Sequence, residues 1–155
     1  MKTCLAFFGT CALMFTFAGC EQPSNGSSAT AAHEANATVL ISVTSDVNDN
    51  PQSIDIAMKL AWFSLDEGRD VAMFFNVKGV TIPTSDFDDG LAFDDNAPVK
   101  QQLTELIERG VDVHVWPICM KALDVEESDI LEGAQVTTRP KLFAHIGGDT
   151  AVFTY

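Results

Sequence analysis

The sequence predicts an α/β domain built on a mostly parallel sheet of about five strands. Three observations lead there: short runs of β-branched and aromatic residues recur along the chain, segments with apolar residues at helical spacing separate them, and Pro, Gly or Asn marks nearly every junction. Strands that alternate with helices are joined by crossovers rather than hairpins. A doubly wound sheet with helices on both faces is then the economical arrangement.

The elements follow in order. Thr38-Val-Leu-Ile-Ser-Val43 is nearly continuous in apolar residues, as a strand covered on both faces requires. Asn50-Pro51 supplies an N-cap and a proline for the first helical turn, and Ile54, Ala57, Met58, Ala61 and Leu65 form a stripe that Gly68 closes. Val71 to Phe75 is the second strand. From Asn76 to Asn96 no period is visible, and Gly79, Pro83 and Gly90 are interspersed with Asp86, Asp88, Asp89, Asp94 and Asp95. A loop of this length is expected to be a functional cover, here an acidic lid over residues 84–96. It is not an EF-hand: the glycine after Asp86, Asp88 and Asp89 comes one place early, and Ala97 stands where the last ligand must be Glu, so no metal is expected. Asn96 is expected to cap a helix entered through Pro98, with Val99, Leu103, Leu106 and Ile107 buried and Gly110 as its stop.

The stretch Val111-Asp-Val-His-Val-Trp-Pro-Ile-Cys-Met-Lys-Ala122 is the centre of the chain. Val111, Val113 and Val115 share one strand face, and Asp112 and His114 share the other. Pro117 ends the strand because it cannot donate to a ladder. Cys119 follows in the kind of loop that borders the ligand crevice of an open α/β sheet. Asp124 with Glu127 reads as a capping box opening a short helix to Leu131, Gln135 to Thr137 as a brief strand, Thr138 to Ile146 as a helix stopped by Gly147-Gly148, and Ala151 to Tyr155 as the last strand.

The 155 residues include 22 acidic and 9 basic side chains, a formal charge of −13. Phosphate binding needs clustered Lys and Arg, so nucleic acid is excluded as an electrostatic partner. Residues 1–19 read as a signal peptide: Lys2 gives a positive start, Leu5 to Phe17 is apolar but short for a bilayer span, and small residues precede Cys20. Phe17-Ala-Gly-Cys20 resembles a bacterial lipobox, which implies lipid modification at Cys20. Glu21 after it implies an outer-membrane location facing the periplasm. Residues 20–37, rich in Ser, Ala, Asn and Gly, form a flexible tether that includes a solvated His33, and residues 38–155 form the domain.

Cysteine counting isolates one thiol. Cys4 and Cys11 leave with the signal and Cys20 is acylated, so Cys119 has no partner in its own chain. It stands just before or within the first turn of a short helix, where free N–H groups favour a thiolate. Lys121 adds positive charge, while Trp116, Pro117, Ile118 and Met120 make the surroundings apolar and oppose it. Cys119 is therefore either a nucleophile or a small buried hydrophobe. Asn76, His114, Trp116 and Lys121 are the candidates to line its crevice. His114 either assists the thiol or is a hydrogen-bonded structural histidine, and His145 is structural or exposed. No Walker loop, G-x-G-x-x-G, H-E-x-x-H or Ser-His-Asp order occurs, and no cofactor is expected.

The element order, together with Trp116-Pro-Ile-Cys-Met-Lys-Ala-Leu-Asp-Val-Glu-Glu-Ser-Asp-Ile-Leu-Glu-Gly-Ala-Gln-Val136, resembles the DsrE-like family of sulfur-relay proteins and predicted peroxiredoxins. The resemblance implies a three-layer, flavodoxin-like domain, assembly into a homo-oligomer or hetero-oligomer, and a cysteine that carries a persulfide. Some relatives have a second cysteine where this chain has Trp116, so a dithiol mechanism within the chain is excluded. Two functions are expected from different classes. The first is sulfur or thiol redox chemistry at Cys119 with a partner protein or small thiol; the second is a non-catalytic oligomeric module that binds a small molecule or protein.

Overall fold

Every apolar run identified in the domain becomes a strand, and all lie parallel in one sheet of order β4-β3-β2-β1-β5 in a computed structural model that describes residues 37–155. The strands are β1 (Thr38–Val43), β2 (Asp70–Phe75), β3 (Asp112–Val115), β4 (Gln135–Val136) and β5 (Ala151–Thr154). The helices are α1 (Pro51–Asp66), α2 (Val99–Glu108), α3 (Pro117–Ala122) and α4 (Arg139–Phe143). The signal peptide, Cys20 and nearly all of the tether lie outside the described residues.

Strand order explains the layers. From β1 to β4 each new strand is added on the same side of the last, so right-handed crossovers carry α1 and α2 over one face. The step from β4 to β5 returns across the sheet and carries α4 over the opposite face. The first face is thick: Val39, Ile41, Val43, Met73, Phe75, Val113 and Val115 pack beneath Ile54, Met58, Ala61, Leu103 and Leu106. The second is thin, with Leu40, Ala72 and Leu142 as its buried cluster and Phe74 and Trp116 packed against it. On β5, Val152 and Phe153 remain exposed.

β5 pairs with β1 in parallel register, Leu40 opposite Val152 and Ile41 opposite Phe153. The pairing continues past the strand, where the Tyr155 carbonyl accepts from the Thr44 amide at 2.6 Å and from the Thr44 hydroxyl at 2.7 Å.

Several local expectations are corrected. Asn96 does not cap α2. The N-cap is Pro98, the Val99 amide is taken by the Leu91 carbonyl at 2.8 Å, and the Asn96 side chain donates instead to Asp55 Oδ1 at 3.0 Å. The helix expected from Asp124 to Leu131 is absent because α3 already occupies the preceding turn and Asp124, at φ 54°, leaves it in the left-handed region. A capping box is present two residues later: Glu126 and Asp129 cap a 3₁₀ turn over Glu127–Asp129. α4 stops at Phe143 rather than Ile146. The segment after β2 is not formless. A 3₁₀ turn spans Val77–Thr81, and Val80 and Ile82 are fully buried.

Candidate functional site

Cys119 stands at the carboxyl edge of the sheet, where β2 and β3 end. Trp116 leaves β3 by donating its amide to the Phe75 carbonyl, and Pro117 opens α3 with its fixed φ. The Cys119 and Met120 amides then bond to the Trp116 carbonyl, both at 3.1 Å. This tight start turns Met120 into the thick-face core and leaves Cys119 half-buried as a free thiol packed against that core.

The sulfur meets the turn that follows β2. The Val77 amide donates to Cys119 Sγ at 3.2 Å, so the sulfur is held as an acceptor, the role a thiolate fills best. Val77 reaches this position at φ 51°, a backbone region that β-branched residues rarely occupy. Its neighbours impose it. The Asn76 amide bonds to the Val43 carbonyl at 3.0 Å, and its side chain donates to Ser42 Oγ at 2.9 Å. The Lys78 and Gly79 amides both reach the Thr44 carbonyl, at 3.2 and 3.3 Å. A Cβ on Gly79 would collide with the Val43 carbonyl oxygen, so only glycine allows the turn to lie this close to β1.

The expected crevice residues separate. Asn76 fixes the turn that donates to the sulfur. The Trp116 backbone anchors α3, while its ring goes to the thin face and meets Phe74 edge-on at 5.7 Å. Lys121 is exposed on α3. His114, which is buried, points to the thin face away from the side where Cys119 packs. There its Nδ1 lies 3.0 Å from Thr137 Oγ1 and its Nε2 lies 2.8 Å from His145 Nε2. Burial, then the neighbouring His145 and more weakly Lys141, hold the His114 imidazole below its ordinary pKa, and Asp112 partly opposes them. Val77 was missed from sequence, and His145, read there as structural or exposed, was not linked to His114. A left-handed valine has no sequence signature, and His145 is separated from its partner by 31 positions.

The rim of the site is apolar. Ile118 is 69 % exposed and Val77 55 %. Beyond α3 lies a cavity of about 390 Å³ lined by Asp86, Asp88, Asp124 and Asp129 together with Phe87 and Leu123. The acidic segment on its far side is tied down: Lys100 Nζ bonds to the Ser85 carbonyl, to the Phe87 carbonyl at 3.2 Å and to Asp89 Oδ1 at 2.6 Å. Among the described residues, no three His, Cys, Asp or Glu side chains are grouped to hold a metal ion, and no helix is long and apolar enough to cross a membrane.

The model of the DsrE/DsrF-like family matches residues 37–155, the whole of the described domain. The chain belongs to this family. Membership points to a sulfur-relay or related function. No curated protein matches the chain. Two solved structures share the fold of this DsrE/DsrF-like domain. The crystal structure of the ychN protein from E. coli aligns with TM-score 0.58 at 17% identity, covering 77% of this chain and 99% of that one. The protein of unknown function MTH1491 from Methanobacterium thermoautotrophicum aligns with TM-score 0.51 at 17% identity, covering 76% and 97%.

Proposed function

We propose that this DsrE/DsrF-like protein is an exported, lipid-anchored carrier that handles sulfur through the single thiol of Cys119. The observation that supports this best is the Val77 amide aimed at Cys119 Sγ at 3.2 Å, a donor with no acceptor other than the sulfur among the described hydrogen bonds. A neutral sulfur accepts such a bond weakly, whereas a thiolate or a persulfide anion accepts it strongly.

The step is an exchange on sulfur. The Cys119 thiolate attacks the outer sulfur of a partner's persulfide, R–S–SH; the S–S bond of that persulfide breaks, R–S⁻ leaves, and Cys119–S–SH forms. Atoms and electrons balance without an outside oxidant. Trp116 occupies the place of a second cysteine, so the sulfur is passed on to another molecule, a partner protein or a small thiol. The exposed apolar residues of the thin face and of β5, Phe143 and Val152 among them, favour a homo-oligomer that covers them. Acylation at Cys20 and a periplasm-facing outer-membrane location complete the proposal.

Alkylation of the native protein across pH, followed by intact-mass measurement after incubation with glutathione persulfide, tests the reading. The expected result is alkylation of the native thiol and a product one sulfur heavier, absent from Cys119→Ser. Alkylation only after denaturation would leave Cys119 as packing and the domain as a binding module.

A further inference from the structure

The thin face of the sheet is closed by one crossover, the segment from α4 to β5. Among the described residues its polar ties to the sheet are few. At the edge, the exposed Lys141 Nζ donates to Gln135 Oε1 at 3.1 Å; at the centre, the His145 ring meets the His114 ring of β3. The side chain that α4 buries is Leu142, over Leu40 and Ala72.

The central tie is made by two imidazole nitrogens 2.8 Å apart. That gap holds one proton, whichever ring carries it. The outer nitrogen of His114 faces Thr137 Oγ1, whose hydroxyl is 3.4 Å from the Thr138 carbonyl. If the hydroxyl donates to that carbonyl, its oxygen accepts from His114 Nδ1, and the inner hydrogen belongs to His145. A first added proton goes to an outer nitrogen and leaves the N–H···N bond intact, with Asp112 Oδ2, 3.8 Å from His145 Nε2, as counter-charge. A second added proton cannot be accommodated. Both facing nitrogens would then carry hydrogen, and two imidazolium rings would stand in contact.

We propose that the His114–His145 pair is a proton-operated latch, closed with either no added proton or one and released when both rings are charged, so that the crossover lifts off Leu40 and Ala72. The surrounding charges set its sensitivity. Asp112 on β3 favours a charged His114 and Lys141 on α4 opposes it; Asp70 at the start of β2, Arg69 before it and Arg109 after α2 are the further charged groups on the His145 side. Asp70, Asp112, Arg69, Arg109 and His145 line one open cavity of about 470 Å³, so solvent protons reach His145 directly, and His114 through it. Release also bears on the other end of the domain. Leu142 shares its cluster with Trp116, the residue that anchors α3 and hence Cys119.

Hydrogen exchange on the full chain, corrected for intrinsic rates and read at about pH 7.5 and about pH 4.5 on either side of the ordinary histidine range, tests the latch. In the wild type, protection of the segment from α4 to β5 is expected to fall at least tenfold at the lower pH while α1 keeps its protection. In His145→Gln, which has a neutral hydrogen-bonding side chain, the segment is expected to be equally protected at both. A wild-type crossover protected equally at both values overturns the proposal, and so does a His145→Gln crossover that loosens as much as the wild type. Imidazole ¹⁵N shifts of the wild type give an independent check: protection lost while either ring is still neutral also overturns it. None of these measurements depends on the reactivity of Cys119.

Discussion

The Val77 amide and the Cys119 sulfur, 42 positions apart, are joined by a hydrogen bond of 3.2 Å that requires Val77 to adopt a left-handed backbone. The strain and the contact are two sides of one arrangement. A β-branched residue at positive φ costs about 1 to 3 kcal/mol, so it persists only where its surroundings impose it. Here the Thr44 and Val43 carbonyls do so.

Val77→Gly removes that strain. The relief, about 1 to 3 kcal/mol, exceeds the roughly 0.5 to 1 kcal/mol by which glycine favours the unfolded chain. A net gain of about 1 kcal/mol is expected in urea denaturation. A loss of stability would show that Val77 is not strained.

Gly79→Ala has the opposite sign. The added methyl is directed into the backbone of β1 at Val43, where neither partner can yield as a side chain tip would. A loss of about 3 kcal/mol or more is expected from such overpacking. A thermal melt within a degree of wild type would refute it.

Folding stability depends on pH through His114. Its folded pKa is lowered, chiefly by burial, so above the ordinary value of about 6.5 the ring is neutral in both states and contributes no pH dependence. Below about 6.5 the unfolded chain takes up a proton that the folded one resists. Stability therefore falls on acidification, by at most about 1.4 kcal/mol per pH unit. Urea denaturation at pH values from about 7.5 to about 5.5 reads this slope, and His114→Gln is expected to remove this histidine's share of it.

Lys100→Met releases the acidic segment from the ammonium that gathers the Ser85 and Phe87 carbonyls and Asp89. Loss of these charge-assisted bonds is expected to destabilise the domain by about 1.5 to 3 kcal/mol. If the segment screens the thiol, Cys119 alkylation also becomes several-fold faster. An unchanged alkylation rate would remove the lid role expected for residues 84–96.

Assembly is tested at the thin face. Val152→Asp and Phe143→Asp place charge on exposed apolar positions without entering the core. Sedimentation is expected to show an oligomer for the wild type and monomer for the double variant, with unchanged far-ultraviolet circular dichroism. A wild-type monomer would leave that apolar surface without the proposed partner.

The fold was legible because its causes are local and periodic. TVLISV and VAMFF announce strands, Asn50-Pro51 caps α1 as read, and the alternation of Val113 and Val115 with Asp112 and His114 places the two sets on opposite faces. The misreadings share a different origin. Asn96 and Asp124 have the right chemistry for caps, but the Leu91 carbonyl and the end of α3 reached those positions first. The site was half legible: Cys119 was placed by the strand end and Pro117, whereas its donor and the partner of His114 depend on contacts between distant segments, which no spacing rule encodes.

Because β5 lies against β1, the 111 positions between Thr44 and Tyr155 must be spanned before the sheet gains its outer rail. A chain emerging amino end first therefore offers β1 as an unfinished seam until β5 has been made, and loop closure over that distance is slow. The same delay would make the chain dependent on holding factors until the final strand arrives.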